Sequence, residues 1–337
     1  MNATFFEIII LIEYLKNINS VDSFMKNELT IVIPTYNRKT RLLSTLQSIF
    51  LQDTKTIEKV IVIDNNSNYD VQEVLNLFEN DKLVLVKNPF NTGMIGNLTN
   101  SYLYCKTKWM WLLSDDDDVH VNSIEKINNY IKISADVSSV RFVDIYTIQH
   151  EIKPMFDVNC IESFIDYYDK VGKKGELMFM SNAIYNLDIL NPFFRYSYTF
   201  SYTYIPHLVL TLFALNKGNK VRIVDDKIVT FKDSESGSGW DALEVYLGIS
   251  TFSHLPLELN KYYKRKLLSL FTSMNYKQLF FVVLKNYSDY NILRYRLINK
   301  NLWSNSCSFS DKLQIYLRIF ILKNKWLTQI IFNNRIQ

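Results

Sequence analysis

Between residues 29 and 113 the chain repeats one pattern, in which a short run of β-branched and aliphatic residues ends in a polar cluster and is followed by a stretch with helical spacing. Leu29-Thr30-Ile31-Val32-Ile33, Lys59-Val60-Ile61-Val62-Ile63, Leu83-Val84-Leu85-Val86 and Trp109-Met110-Trp111-Leu112-Leu113 read as short buried strands. Between them, Leu42, Leu46, Ile49 and Phe50 share one face of a helix over 41–50, and further helices are expected at 71–78 and 97–105. Strands and helices alternating in units this short connect by right-handed crossovers. The pattern therefore predicts an α/β fold built on a mainly parallel sheet with helices on both faces. In such sheets ligands bind beyond the carboxyl ends of the strands.

The polar clusters fall at that edge. The first run ends in Pro34-Thr35-Tyr36-Asn37, the second in Asp64-Asn65-Asn66-Ser67, and the fourth in Ser114-Asp115-Asp116-Asp117-Asp118. Four consecutive carboxylates at the end of an apolar strand repel one another, and a divalent cation relieves that repulsion. A hard ion, Mg²⁺ or Mn²⁺, held by one or two carboxylates and by the diphosphate of a nucleotide suits the arrangement. Taken alone, the run reads equally well as an acidic turn capping the helix that starts near Asn122.

At 337 residues the chain exceeds the usual single-domain size. Its expected division is an extension over 1–28, a ligand-binding half over 29–125, a second half over 126–254, and a helical extension over 255–337. Met25 stands just before the first strand and is an alternative start of translation. Cys105, Cys160 and Cys307 are far apart, as are His120, His150, His207 and His254, which argues against a zinc site and fits a reducing compartment. The apolar run 5–15 is broken by Glu7 and Glu13, and 319–322 is bounded by Arg318 and Lys323, so neither reaches the roughly 20 residues of a membrane span. The N-terminus lacks a basic segment and a cleavage site, so a cytoplasmic protein is expected. Charge is uneven: residues 255–337 hold fourteen Lys and Arg against three Asp and Glu, a net +11, which leaves −7 for the first 254. A basic tail on an acidic body points to an anionic surface as the tail's partner.

Taken together, Ile31-Val32-Ile33-Pro34-Thr35-Tyr36-Asn37-Arg38, Val62-Ile63-Asp64-Asn65-Asn66-Ser67, Asn91-Thr92-Gly93-Met94-Ile95-Gly96-Asn97 and Leu113-Ser114-Asp115-Asp116-Asp117 resemble, in order and spacing, the family two glycosyltransferases of the GT-A fold. The resemblance is strong over 29–125 and weaker to about Trp240. It implies a GT-A domain that binds a nucleotide sugar through Pro34, Thr35, Tyr36, Asn37, Asp64, Asn65, Asn91, Gly93, Asn97 and Asp115. Tyr36 would stack near the nucleobase, and Asp64 would accept the imino N–H of uracil or thymine. Asp115 and Asp116 fall on the DXD-like element, one near the ribose and one on the metal. The run continues, so Asp116 and Asp117 both stand as metal ligands. The implied reaction is an inverting transfer from a UDP- or dTDP-type donor to a hydroxyl of a bacterial surface glycan, such as a lipid-linked O-antigen or capsule precursor.

An acceptor hydroxyl must lose its proton to a base, usually an aspartate in the family, and no acidic motif stands at that place here. His207 is the leading base candidate because a free imidazole titrates near neutral pH. Its bland alternative is a core histidine at a helix start. Asp241 and Glu244 are the backups; they follow Asp233-Ser234-Glu235-Ser236-Gly237-Ser238-Gly239-Trp240, which reads as a lid or as an ordinary surface loop. In the tail, 262–266 and 313–332 have the amphipathic, cation-rich pattern of membrane-surface helices at the inner face of the cell membrane, or of a helical subdomain with a basic outer face. No nucleic-acid motif accompanies the charge, so nucleic acid is not an expected partner. A nucleotidyltransferase would carry a glycine-rich loop after the first strand, which is absent. A non-catalytic sugar-nucleotide-binding or scaffold protein of the same fold remains the alternative from another class.

Overall fold

The structure, a computed structural model, describes residues 27–143, 155–171, 176–230, 241–271, 276–302 and 309–336. Through the first third of the chain, strands and helices follow the predicted alternation. β1 (Leu29–Thr35), β2 (Ile57–Asp64), β3 (Leu83–Lys87) and β4 (Trp109–Leu112) are mutually parallel in the order β3-β2-β1-β4. The register pairs Thr35 with Asp64, so the polar ends of β1 and β2 stand side by side. Every residue of β1 and β4 is buried, as a strand covered on both faces requires.

The crossovers lie on both faces. α1 (Lys39–Phe50) and α2 (Val71–Leu75) pack Leu42, Leu46, Ile49, Val71 and Val74 against one face of the sheet. α3 (Gly93–Tyr104) puts Leu98 and Tyr102 against the other. The helix expected from Asn97 begins four residues earlier, because Gly93, at φ 74°, makes the left-handed turn that opens it. α4 (Ser123–Lys132) returns to the first face through Ile124, Ile127 and Ile131.

Beyond β4 the same sheet continues, so the two expected halves share it. Its full order is β3-β2-β1-β4-β8-β6-β9-β7, with β6 (Val137–Phe142), β7 (Met155–Val158), β8 (Ala183–Asn186) and β9 (Lys220–Val224). β8 runs antiparallel to β4 and β6, which makes the sheet mixed. β5 (Asp118–Val119) and β10 (Val229–Thr230) form a separate two-stranded ribbon beside the acidic run. Residues 220–230 thus serve two sheets, β9 in the main one and β10 in the ribbon.

α5 (Ile161–Val171), α6 (Leu187–Leu190), α7 (Phe194–Thr199) and α8 (Pro206–Asn216) follow. α8 is apolar all round and buried from Pro206 to Leu215, as such a helix must be. The tail is helical: α9 (Ala242–Ser250), α10 (Lys261–Ser269), α11 (Tyr276–Lys285), α12 (Asp289–Leu302), α13 (Phe309–Lys323) and α14 (Lys325–Ile336). Leu267, Leu279, Val283, Tyr295, Ile298 and Leu322 enter the same core as Leu98, Phe164 and Leu208. Lys266 bonds Asp166 and Asp169 of α5 at 2.9 Å each, so part of the tail's positive charge ties it to the body. The inner face of the tail is therefore a packed helical subdomain.

Candidate active site

Three strand ends build one polar edge. Thr35 closes β1, and its hydroxyl donates to Asp115 Oδ2 at 2.7 Å across the gap to β4. Arg38, just past the same strand, donates from one guanidinium nitrogen to both Asp115 Oδ1 and Asp116 Oδ2, each at 2.8 Å. Thr45 on α1 donates to the backbone carbonyls of Asp115 and Asp117. The acidic turn is thus fastened to β1 and α1 before any ligand arrives.

Its four aspartates have different environments. Asp115 is buried, and burial raises its carboxyl to about 6 against the pull of Arg38 and the Thr35 hydroxyl. Asp116 accepts from Ser114 Oγ at 2.5 Å and from Arg38, and its side chain keeps 13% exposure. Asp117 turns inward, where Ser181 Oγ donates to it at 2.5 Å, and burial pushes its carboxyl up to about 8. Asp118 belongs to β5. The expectation that Asp117 binds metal is corrected to this extent: the side chain is buried below the edge, with one oxygen held by Ser181 and the other without a hydrogen-bond partner, so it does not stand beside Asp116 at the open face. Among the described residues no group of three or more His, Cys, Asp or Glu is arranged to hold a metal ion. The Asp115–Asp116 pair does suit a cation, since it already takes one from the chain as Arg38.

At the end of β2, Asp64 is fully buried and accepts the Ser67 N–H at 2.8 Å through Oδ1. Its Oδ2 is buried with no hydrogen-bond partner. An unpartnered carboxylate oxygen at a ligand-binding edge is costly until a donor reaches it. Tyr36, next to it on the edge, is 42% exposed. Asn37 and Asn66 adopt the left-handed backbone region that asparagine tolerates. Ser67 Oγ accepts the Asn37 N–H at 3.0 Å, and Asn37 Oδ1 accepts the Asn68 N–H at 2.8 Å, locking the two strand-end loops together.

The asparagines prove to be bracing. Asn65 Oδ1 accepts from Asn88, from the Thr92 N–H and from the Thr92 hydroxyl at 2.9–3.0 Å, while its amide donates to Asn91 Oδ1 at 2.7 Å and to the Gly93 carbonyl at 3.2 Å. Asn97 accepts from Asn88 at 3.0 Å and donates to the Ile63 carbonyl at 3.3 Å. Asn65 and Asn97 are buried. The expectation that they touch the donor is corrected, because their polar atoms hold the start of α3 against β2 and β3. Arg38, Thr45, Asn88 and Ser181 were not read as site residues; the charge of Arg38 two residues beyond Tyr36 was the available signal.

The base candidates lie elsewhere. His207, in the first turn of α8, is 2% exposed, and neither ring nitrogen has a hydrogen-bond partner. Burial, then the nearby Arg141 charge, pushes its pKa down to about 3. An imidazole sealed in the core cannot reach an acceptor hydroxyl, so His207 is corrected to a core residue. Asp241 caps α9 through the N–H groups of Leu243 and Glu244 and pairs with Arg294 of α12. Burial alone would raise its carboxyl, but Arg294 and the capping bonds outweigh it and the pKa is lowered. It is a structural cap. Glu244 is half-buried and hydrogen-bonds the Tyr204 phenol. The stretch 233–240 lies outside the described residues, as does Cys307.

Residues 30–191 match the profile of glycosyl transferase family 2, and that span runs from β1 through the acidic turn to the end of α6. This segment belongs to glycosyl transferase family 2. Family relatives resemble the chain over a little under a third of its length. A GalNAc(5)-diNAcBac-PP-undecaprenol beta-1,3-glucosyltransferase of Campylobacter jejuni is 32% identical over 27% of this chain and 30% of its own length. A UDP-Glc:alpha-D-GlcNAc-diphosphoundecaprenol beta-1,3-glucosyltransferase of Escherichia coli is 29% identical over 30% of this chain and 39% of its own. An abequosyltransferase of Salmonella typhimurium is 28% identical over 31% and 33%. The aligned part thus spans about a third of each relative's length. Among solved structures, Staphylococcus aureus TarS in complex with UDP-GlcNAc superposes with a TM-score of 0.52 at 14% identity, covering 89% of this chain and 82% of that one. A Pyrobaculum calidifontis mannosyltransferase in complex with GDP-Man and Mn²⁺ gives 0.50 at 13%, covering 91% and 83%. These likenesses establish the fold, the GT-A arrangement expected from the sequence.

Proposed function

We propose that the chain transfers a sugar from a UDP- or dTDP-type nucleotide sugar to a hydroxyl of a lipid-linked bacterial surface glycan, inverting the anomeric centre. The observation that carries the donor half is the buried, unpartnered Oδ2 of Asp64 beside the exposed Tyr36 ring. A pyrimidine with an imino N–H supplies the missing donor and a face for the ring. The acceptor half rests on the family relatives, two of which are described as acting on undecaprenol-diphosphate-linked sugars.

Asp116, backed by Asp115, would hold a Mg²⁺ or Mn²⁺ ion, which neutralises the diphosphate as it leaves. Arg38 must then yield one or both carboxylates, and its guanidinium stands ready for a phosphate oxygen instead. Thr35 and Thr45 keep the acidic turn in place while the charges around it change. With His207 sealed in the core and Asp241 engaged as a cap and with Arg294, Glu244 is the base candidate carried forward. Glu244→Gln should lower turnover by roughly two to four orders of magnitude with donor affinity nearly unchanged.

The deciding experiment is a thermal-shift panel of nucleotide sugars with and without Mn²⁺, since a ligand that binds only the native state raises its apparent stability. UDP or dTDP sugars should stabilise the wild type and not Asp64→Ala, whereas equal shifts in both proteins would remove Asp64 from the site. The structural roles of His207 and Asp241 favour a second reading, a sugar-nucleotide binder without transferase activity. Donor binding together with no product in a single-turnover assay, given the right acceptor, would establish it.

A further inference from the structure

The outer face of the last two helices has an unusual composition for a surface. On α13, Phe309, Leu313, Tyr316, Leu317 and Phe320 are 85%, 52%, 69%, 52% and 61% exposed, and their spacing places them in one stripe along the helix. Ile315 and Leu322 point the opposite way, into the core. Trp326 and Ile330 of α14 extend the apolar exposure beyond the break at Asn324. The helix is therefore apolar on two sides. One side is accounted for by packing, and no described residue covers the other.

Cations border the uncovered side. Lys312 and Lys323 are exposed on the flank of the stripe next to Tyr316, and Lys325 is exposed beside Trp326. Over 309–336 there are five Lys and Arg against one Asp. The charges of Lys266 and Arg294 are matched by Asp166, Asp169 and Asp241, whereas Lys312, Lys323 and Lys325 are exposed on the helices that carry the apolar stripe.

We infer that α13 and α14 seat the protein on an anionic lipid bilayer, with Phe309, Leu313, Leu317 and Phe320 entering the headgroup boundary and Lys312, Lys323 and Lys325 on lipid phosphates. The chemistry selects this partner over others. Leu313 and Leu317 have no counterpart on a nucleic-acid backbone, where cations alone would suffice. A second copy would bring two tails of net +11 together, and like charge opposes that contact. An anionic bilayer matches both features: it accepts aliphatic and aromatic side chains at its boundary and attracts cations to its surface. The helices lie on the surface, since none among the described residues is long and apolar enough to cross.

The test uses the full-length protein and vesicles of phosphatidylcholine with or without one-third phosphatidylglycerol. Sedimentation with the anionic vesicles at low salt and release at high salt is expected, with little binding to the neutral ones. Leu317→Asp with Phe320→Asp should weaken partitioning about tenfold or more, and Lys312→Glu with Lys323→Glu should weaken it at low salt. Trp326 supplies a readout besides sedimentation: its emission should shift to the blue on anionic vesicles, a change missing from Trp326→Phe. Circular dichroism and melting establish that each variant is folded. Should the aspartate pair misfold, the exposed lysine pair and the Trp326 emission decide the matter. Three results would overturn the inference. One is vesicle binding unchanged by both pairs of substitutions. Another is equal binding to duplex DNA that survives Leu317→Asp with Phe320→Asp. The third is no vesicle binding, together with self-association that the aspartate pair abolishes. No sugar nucleotide enters the measurement, so its failure leaves the transferase reading where it stands.

Discussion

A neutral imidazole sealed in the core carries a pH signature. His207 is held down at about 3 by burial, whereas the unfolded chain titrates it at the ordinary value of 6.5. Its contribution to stability is therefore complete above 6.5 and is lost as pH falls from there toward the folded value. At pH 5 the unfolded state has gained about 1.5 pK units of protonation, about 2 kcal/mol. Stability measured by urea at pH 7.5 and pH 5 should thus fall by about that much more in the wild type than in His207→Phe. An identical pH dependence in the two proteins would show the imidazole to be solvated. The acidic run makes a different residue-scale prediction. Asp116→Asn should abolish any dependence of UDP affinity on Mn²⁺, while Asp117→Asn should retain it, because only Asp116 faces the site edge; loss in both variants would return Asp117 to the metal. At this scale the meeting of Thr35, Asp64 and Asp115 at one strand edge was legible, since each stands at the end of an apolar run. His207, Asn65, Asn97 and Asp117 were misread for one reason: their partners, or the burial around them, come from distant parts of the chain. Ser181, which turns Asp117 inward, is 64 positions away.

Elements were legible where periodicity was local. β1 to β4 and the helix of Leu42, Leu46 and Ile49 are short, continuous patterns that tertiary packing only confirms. β7 and β8 escaped notice because neither is a continuous apolar run, and both acquire strand geometry from β9, β4 and β6. The Asp241 cap was readable in principle, since Asp followed three residues later by Glu before an apolar stretch marks a helix start. That signal lost out to its reading as a base candidate. α9 also offers a test in which two effects have opposite signs. Gly248 lies inside this helix, where Ala is intrinsically better by about 1 kcal/mol. A Cβ there would meet the Tyr202 carbonyl oxygen at 2.9 Å and the Thr203 carbonyl carbon at 3.0 Å, both backbone atoms that cannot swing aside. Overpacking of this kind costs about 1–3 kcal/mol. We expect Gly248→Ala to lower stability or leave it level in chemical unfolding, and a clear gain would mean that the Tyr202–Thr203 turn yields easily.

On the scale of the whole molecule the sequence suggested two alternatives for residues 255–337, a surface attachment and a packed subdomain; the inner face of the helices is packed, and the outer face is where we propose the attachment. The inner face decides what happens when the tail is removed. Fifteen buried apolar residues beyond His254, from Leu255 to Leu322, lie in the core that also contains Leu98, Phe164 and Leu208. At about 1.5–3 kcal/mol for each large side chain buried, their combined contribution exceeds the roughly 5–15 kcal/mol by which a native protein is stable. The conformational entropy of the deleted residues is released as well, so the loss is smaller than that sum. What remains on the body, however, is an uncovered apolar surface that includes Leu243, Ile249 and Phe252, and water must then wet it. A chain ending at His254 should therefore lack a cooperative melt, bind ANS strongly and lose its near-ultraviolet circular dichroism while keeping much of its helical signal. A soluble, monomeric 1–254 chain with a sharp transition would show instead that the tail is an appendage whose burial adds little. In that case the truncated chain itself would serve to test vesicle binding; with the unfolding expected here, the surface substitutions on α13 are the ones that separate attachment from folding.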